Sequence, residues 1–175
     1  PVGDYAYKAA INKAWDENYG AGGVPNGGNI SYTHAAAGEL NFYYDHRTHY
    51  VTSDEEGPLI TAPGTWNEQL GCATDNAPEC MRPWLQDRDG DGTYTWATSE
   101  LEAGEYTFKI AEDFAADDAA WYPRGANNEV PVTVPSAGLV VPVLYTSLDA
   151  FGRRVSARFA RRPPADAEAV PLQGD

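Results

Sequence analysis

The sequence predicts an all-β protein made of short antiparallel strands. Thirteen prolines and 17 glycines divide the 175 residues into short pieces, which favours strands and turns over long helices. No stretch of helical length has the apolar spacing of an amphipathic helix, whereas aromatic and apolar residues alternate over several short runs. The Ala-rich acidic run 111–120 has room for one or two helical turns only.

The first quarter of the chain predicts three strands. Residues 2–11 form a strand that carries Tyr5 and Tyr7 on one face, because side chains two apart share a face. Two further strands, around 30–32 and 40–44, are joined by a turn at 35–38. The acidic, turn-rich segment SDEEGP at 53–58 then reads as a linker.

Between these strands lies the glycine-rich segment 15–29, WDENYGAGGVPNGGN, which predicts a long surface loop. Ordering such a loop costs conformational entropy, so Trp15 and Tyr19 are the expected anchors. Asp16, Glu17 and Asn18 supply hydrogen-bonding groups beside the two rings. Flat rings next to acceptors and amides suit a sugar, which stacks its C–H face and hydrogen-bonds its hydroxyls. The alternative is that both rings only pin the loop to the core.

The second part of the chain adds strands at 59–60, at Tyr94 and Trp96, and at 103–110. Cys72 and Cys80 lie in a loop rich in Gly, Pro and Asn, GCATDNAPEC. A loop-closing disulfide in a secreted protein is the prediction, and two buried thiols are the alternative.

The segment DRDGDG places Asp87, Asp89 and Asp91 at the spacing that begins a calcium loop. The residue at position twelve is Thr98 where a helix-loop-helix calcium site needs Glu, and the flanking sequence is strand-like. Asp and Gly in the turn of a hairpin explain the segment equally. No cofactor is therefore expected, with calcium at this turn as the alternative.

Two segments of the chain repeat each other about a hundred residues apart. GDYAYKAA from Gly3 corresponds to GEYTFKIA from Gly104, and apolar positions downstream continue the match. The repeat predicts that residues 1–56 are the C-terminal half of a first module plus a linker. Residues 57–163 would then be a complete second module, and 164–175 a flexible tail. A neighbour outside 1–56 is accordingly expected for the strand that contains Tyr5.

Charge and motifs exclude several functions. A net charge of −14 repels nucleic acid and anionic membranes, and no run of about 18 apolar residues could span a bilayer. The chain contains no nucleophile elbow, phosphate loop or triad pattern, so it is not expected to be an enzyme by itself. A cluster of arginines lies near the end of the chain: Arg153, Arg154, Arg158, Arg161 and Arg162. It indicates either a solvated strand or a docking surface for an acidic neighbouring domain.

The segments WDENYG and WLQDRDGDGTY, together with LEAGEYTFKI, resemble the accessory modules of bacterial pullulanases, which occur as tandem copies in secreted starch-degrading enzymes. The resemblance covers nearly all of residues 3–163. It implies an immunoglobulin-like antiparallel β-sandwich, here one incomplete copy followed by a complete one. It also implies a secreted fragment of a glycoside hydrolase of the pullulanase type, an α-1,6-glucosidase.

The same resemblance implies binding of α-glucan, such as starch, pullulan or glycogen, with the catalytic domain of the same enzyme as a partner. The alternative is a structural spacer that packs on that domain and binds no sugar. In the second copy DFAADDAAWYPRGANN stands where WDENYG is expected. Trp121, Tyr122, Arg124 and Asn127 therefore form a different site, or the site is lost.

Overall fold

The computed structural model describes residues 1–115, 120–123, 127–146 and 154–157, and it confirms the all-β prediction. Fifteen short strands and three single 3-10 turns account for its secondary structure, and every strand pair is antiparallel. No helix within these residues is long and apolar enough to cross a membrane. The strands are two to six residues long, so ladder hydrogen bonds alone cannot hold them and side-chain packing must contribute.

Residues 1–56, the first unit, hold six strands in three separate pairs. The strands are β1 (Gly3–Tyr7), β2 (Ala9–Ala10), β3 (Asn18–Tyr19), β4 (Ile30–His34), β5 (Phe42–Tyr44) and β6 (Val51–Ser53). Strand β1 pairs with β4, β2 with β3, and β5 with β6.

The described residues from 57 onward, the second unit, hold nine strands. They are β7 (Ile60–Thr61), β8 (Trp84–Leu85), β9 (Thr93–Thr98), β10 (Gly104–Phe108), β11 (Ile110–Glu112), β12 (Trp121–Tyr122), β13 (Val130–Val134), β14 (Val141–Thr146) and β15 (Arg154–Ala157). One sheet has the order β12-β11-β7-β8, another β15-β14-β9, and β10 pairs with β13.

The buried hydrophobic cluster lies entirely in the second unit. Its fifteen residues come from these strands and from the β7–β8 and β9–β10 connections: Ile60, Ala62, Trp66, Leu70, Leu85, Trp96, Leu101, Phe108, Ile110, Tyr122, Val132, Val134, Val141, Val143 and Tyr145. Alternation explains the β14 set, since residues two apart share a face of the sheet.

Trp66 is fully buried at the centre of this cluster. Its ring stacks on Phe108 with centroids 4.9 Å apart, and its Nε1 donates to the Ala62 carbonyl at 2.9 Å. A buried indole needs such a partner because an unsatisfied donor in the core is costly. Trp66 lies in the β7–β8 connection, and its contacts show that this connection is part of the core.

The loop after Trp66 is held by Asn67 and by the disulfide. The Asn67 side chain accepts from the Gly64 amide at 2.9 Å and donates to the Ala77 carbonyl at 3.1 Å, while itself fully buried. Cys72 and Cys80 are bonded, with their Cα atoms 6.0 Å apart. The predicted disulfide is therefore confirmed.

Strands β4 and β5 follow each other in the chain but do not pair with each other, since β4 pairs with β1 and β5 with β6. Two expectations about the strands are wrong. The segment 15–29 contains β3, so it is not wholly a loop. The run 111–120 begins as strand β11 and then makes one 3-10 turn, Asp113–Ala115.

The expected outside neighbour of the strand with Tyr5 is also absent from the described residues. Strand β1 pairs with β4 alone, whereas β10, which occupies the same place in the second unit, pairs with β13 and is also bridged to Gly64 through Phe108. The division at 56 and 57 stays a prediction, and the tail 164–175 lies outside the described residues.

A polar cluster joins the two units. Gln86 donates through Nε2 to Asp45 Oδ2 at 2.7 Å, and Thr48 Oγ1 donates to Gln86 Oε1 at 2.8 Å. Burial raises the pKa of Asp45, but hydrogen bonds from the Arg47 amide, Gln86 and Thr48 outweigh it, so the pKa lies below 3.8. This Asp45–Gln86 clamp fixes the 45–48 turn against the second unit.

Reduction of the disulfide is expected to lower the free energy of unfolding by about 2–3 kcal/mol, because cross-linking a loop this short removes that much entropy from the unfolded chain. Denaturant unfolding with and without reductant measures the difference, and a Cys72→Ser, Cys80→Ser double variant should match the reduced protein. An unchanged midpoint would contradict the stabilising role of this bond.

The Asp45–Gln86 clamp is expected to weaken in acid. Because the folded pKa of Asp45 is depressed, its stabilisation is present above pH 3.8 and is lost as the pH falls through the folded pKa. Asp45→Asn should cost about 1.5–3 kcal/mol near neutral pH, the range for a hydrogen bond to a charged group, and less in acid. Thermal unfolding of the unmodified protein and of Asp45→Asn, between neutral and strongly acidic pH, measures the difference in stability between them. Asp89→Asn, at an exposed position, is the control. A difference in stability that does not change with pH would contradict the stabilising role of the Asp45 carboxylate.

Candidate functional site

The loop that carries Trp15 is tied down by Asn18. The Asn18 Nδ2 donates to the Trp15 carbonyl and to Asn26 Oδ1, both at 2.9 Å, and Lys8 Nζ donates to Asn18 Oδ1 at 3.4 Å. Asn18 is only 8% exposed. Its side-chain amide therefore holds the loop in place, and little of its hydrogen-bonding capacity remains for a ligand.

Tyr19 is the second fixed point of the loop. Its ring lies parallel to that of His49, with centroids 3.8 Å apart and an interplanar angle of 3°. Its hydroxyl donates to Glu17 Oε1 at 2.9 Å, and this bond, with burial and the carboxylate charge, raises the pKa of Tyr19. His49 in turn is hydrogen-bonded through Nδ1 to the Tyr44 hydroxyl at 2.8 Å.

One glycine explains how the loop folds back so closely. A Cβ on Gly20 would lie 2.1 Å from the Gly28 carbonyl oxygen, so no other residue fits there. The Gly20 amide donates to the Val24 carbonyl, and Ala21 donates to the Gly28 carbonyl, both at 3.0 Å. The glycines of this loop are thus required by backbone contact as much as by flexibility.

Trp15 itself projects into solvent and is 70% exposed, the highest fraction among the exposed large hydrophobic residues of the described chain. Asp16 and Glu17 beside it are exposed too. Trp15 is therefore not an anchor, while Tyr19 is. The five predicted residues divide into a supporting pair, Asn18 and Tyr19, and an exposed group of one indole and two carboxylates.

In the second unit Trp121 and Tyr122 occupy the same strand positions as Asn18 and Tyr19. Tyr122 faces Ile110 across the β11–β12 ladder as Tyr19 faces Ala9 across β2–β3. Tyr122 is buried, with its ring 5.9 Å from that of Tyr145, so it too is a support.

The remaining predicted residues of the second unit differ in their surroundings. Trp121 is half-buried, with Lys109 Nζ 5.6 Å from its ring centroid, and Asn127 is exposed in a turn. These residues belong to a different sheet from the Trp15 loop. Arg124 lies outside the described residues, as do Arg153, Arg158, Arg161 and Arg162, and only the backbone of Arg154 is described.

The aspartate turn between β8 and β9 brings Asp87, Asp89 and Asp91 together, with one carboxylate oxygen of each within 4.8 Å of the others. Asp87 accepts three backbone N–H groups, from Gly90, Asp91 and Gly92, at 2.9 to 3.1 Å. These bonds explain the turn without an ion. Calcium here stays a prediction of the sequence.

A cleft of about 690 Å³ separates the β5 hairpin of the first unit from the second unit. Its walls combine aromatic rings with charged groups: Phe42, Tyr44, Arg47, Arg82, Trp84 and Glu100. The sequence did not reveal this cleft, because its two walls come from segments about forty residues apart. Trp84 and Trp96, 4% and 5% exposed, also line this cleft.

Comparisons with known proteins place this architecture in one family. The model of the pullulanase X25 domain matches residues 1–51 and 59–149. An amylopullulanase of Thermoanaerobacterium thermosulfurigenes is 43% identical over 141 residues, which is 75% of this chain and 7% of that protein. An amylopullulanase of Thermoanaerobacter thermohydrosulfuricus is 31% identical over 116 residues, 63% of this chain and 8% of that protein.

A solved pullulanase from Bacillus acidopullulyticus aligns with a TM-score of 0.44 and 23% identity, over 62% of this chain and 15% of that one. The chain thus spans less than a tenth of the length of the amylopullulanases it matches. The family model covers most of the chain, in the two stretches on either side of the acidic linker. The chain therefore belongs to the pullulanase X25 domain family, the accessory modules of pullulanases.

Proposed function

We propose that this chain is a non-catalytic module that binds α-glucan through Trp15. The observation that carries the proposal is the exposure of that indole, 70% exposed on a loop whose neighbours are fixed. Indole is a large apolar ring, and leaving it in water costs more than burying it. A rigid support that holds such a ring in solvent offers a flat platform on which a glucose ring can stack.

The supports keep this platform from collapsing onto the protein. Asn18 holds the Trp15 carbonyl, and the Tyr19–His49 stack fixes the next turn of the chain. Because these contacts order the loop before a ligand arrives, binding pays less ordering entropy. The exposed Asp16 and Glu17 carboxylates supply acceptors for sugar hydroxyls at the rim of the ring.

The nature of the ligand is inferred from the family. The related proteins are amylopullulanases, and an accessory module of such an enzyme serves it by holding α-glucan such as starch, pullulan or glycogen near the catalytic domain. The acidic surface, with net charge −14, is no obstacle to a neutral polysaccharide. The disulfide supports a secreted enzyme, since such bonds persist in oxidising compartments.

The second unit offers less to a ligand. Of its predicted residues, Tyr122 is buried as a support, which leaves Trp121 and Asn127. The Trp121 ring is only partly exposed and has Lys109 above it. We therefore assign the stronger site to the first unit.

A structural spacer is the second candidate, and the Asp45–Gln86 clamp favours it. A hydrogen-bonded junction between the units holds their relative orientation, as a spacer requires. Retention on insoluble starch separates the two functions. Retention of the unmodified chain that withstands salt and is competed by maltooligosaccharides supports binding, and no retention supports the spacer.

Trp15→Ala is expected to weaken binding to maltooligosaccharides by roughly 5- to 150-fold, equivalent to the 1–3 kcal/mol that one aromatic platform contributes in base stacking. Calorimetric titration measures this loss, and thermal unfolding should be unchanged because Trp15 is outside the core. Val24→Ala is the matched control, since Val24 is 52% exposed in the same loop but carries no ring. Equal loss in both variants, or none in Trp15→Ala, would move the site elsewhere, with Trp121 the next residue to test.

A further inference from the structure

The six strands of the first unit recur in the second with the same pairing. The pairs β1–β4, β2–β3 and β5–β6 correspond to β10–β13, β11–β12 and β14–β15. Side-chain bonds recur as well. The Thr33 hydroxyl donates to Asp4 as the Thr133 hydroxyl donates to Glu105, both at 2.8 Å.

The tyrosine of the first strand repeats this pattern. The Tyr5 hydroxyl donates to the Pro1 carbonyl at 2.9 Å, four residues back, and the Tyr106 hydroxyl donates to the Glu102 carbonyl at 3.1 Å, also four residues back. The β1 and β10 frameworks are therefore equivalent, residue for residue, and Pro1 stands where Glu102 stands.

The second unit adds three strands to this framework. Strand β7 pairs with β11, and β9 pairs with β14, so β11 and β14 each have a neighbour on both sides. The β7–β8 connection places Trp66 on Phe108. As a result Ile110, Val141 and Val143 are completely buried.

The first unit lacks these neighbours among the described residues. Strands β2 and β5, which correspond to β11 and β14, each pair on one side only. Four rings form a cluster beside them: Tyr7 lies 4.7 Å from Phe42 and 5.7 Å from Tyr32, and Tyr5 stacks on Tyr32 at 5.6 Å. Phe42 is 50% and Tyr5 39% exposed. We call this cluster with its two edges the open face.

We propose that the open face is an interaction surface for a β-strand segment of the same type as residues 57–101. In this arrangement one strand of the segment pairs with β2, as β7 does with β11, and another pairs with β5, as β9 does with β14. An aromatic residue of the segment, equivalent to Trp66, covers Tyr7. This inference is independent of the proposed function, since Trp15 lies outside the open face.

The chemistry of the face favours this occupant over others. Two unpaired strand edges require a continuous row of N–H and C=O partners, which a polypeptide strand supplies and a sugar does not. A second copy of the chain is disfavoured because its own β7–β9 residues are buried in its core, where Ile60 and Leu85 are 0% exposed.

The test is the full chain carrying an added copy of residues 57–101 directly before Pro1, the junction that the equivalence of Pro1 and Glu102 dictates. The β2 and β5 amides, at Ala10 and Phe42, should exchange with solvent at least about tenfold more slowly than in the original chain, since a closed ladder opens only by local unfolding. Binding of a hydrophobic dye to the rings should fall in parallel.

The control is the same fusion with Trp66→Ala in the added copy only. It should lose most of the protection while leaving exchange in the second unit unchanged. Formation of the added disulfide, counted by intact mass, shows that the added copy has folded. If that disulfide forms and the β2 and β5 amides exchange as before, the proposal is overturned.

Two results on the original chain would also overturn it. A dimer in light scattering that Phe42→Ser converts to a monomer would make a second copy the occupant. Slower β2 and β5 exchange on addition of maltooligosaccharide would make it a glucan. A monomer whose β2 and β5 amides exchange at the same rate with and without maltooligosaccharide supports the proposal. That result does not test sugar binding at Trp15, which is judged separately.

Discussion

The stack of Trp66 on Phe108 is the contact on which the second unit depends. The strands around it are two to six residues long, so few ladder bonds hold any one of them. A fully buried indole removes a large apolar area from water and touches several segments at once. Trp66 comes from the β7–β8 connection and Phe108 from β10, with Trp96 of β9 5.7 Å away. One side chain thereby joins elements that belong to three different sheets.

The same dependence explains why the two units differ in burial although their strands pair alike. In the first unit the ring equivalent to Phe108 is Tyr7, and no indole covers it within the described residues. The exposed large hydrophobic residues of the described chain all fall in the first unit: Val2, Tyr5, Trp15, Val24 and Phe42. The exposure of four of these side chains is explained by the absence of a covering layer or by their position in a loop. The exposure of Trp15 is explained by the rigid loop beneath it.

Local sequence predicted the class of fold and most of the strands. Alternation located β1, β4, β9 and β10, and two cysteines in a turn-rich loop predicted the disulfide. The pairing of the strands was harder to predict, because alternation shows which face of a strand is buried but not which strand lies beside it. Strands β4 and β5 illustrate this: the sequence predicts a turn between them, yet they pair with strands of two different sheets. Strand β3 was missed because two residues among glycines carry no periodic signal.

For the candidate site, the sequence identified the residue types, but it could not predict which of these side chains are exposed. The pattern WDENYG identified the loop, but it could not tell that Tyr19 points inward and Trp15 outward. That division depends on His49, thirty residues away, whose ring is parallel to that of Tyr19. The arginines of the inter-unit cleft could not be predicted for the same reason, since Arg47 and Arg82 line one cleft although they come from different units.

The buried tyrosines show how one framework can carry different sites. Tyr19 and Tyr122 take the same place in equivalent strand pairs, yet one stacks on a histidine and the other lies against Tyr145. Both hold the base of a loop, and the strands below do not depend on what that loop contains. Its sequence is therefore free to change from WDENYG to a Trp121-containing segment without a change of fold. A framework with fixed supports and variable loops lets the two units differ in the side chains of this loop while they keep the same strand pairing.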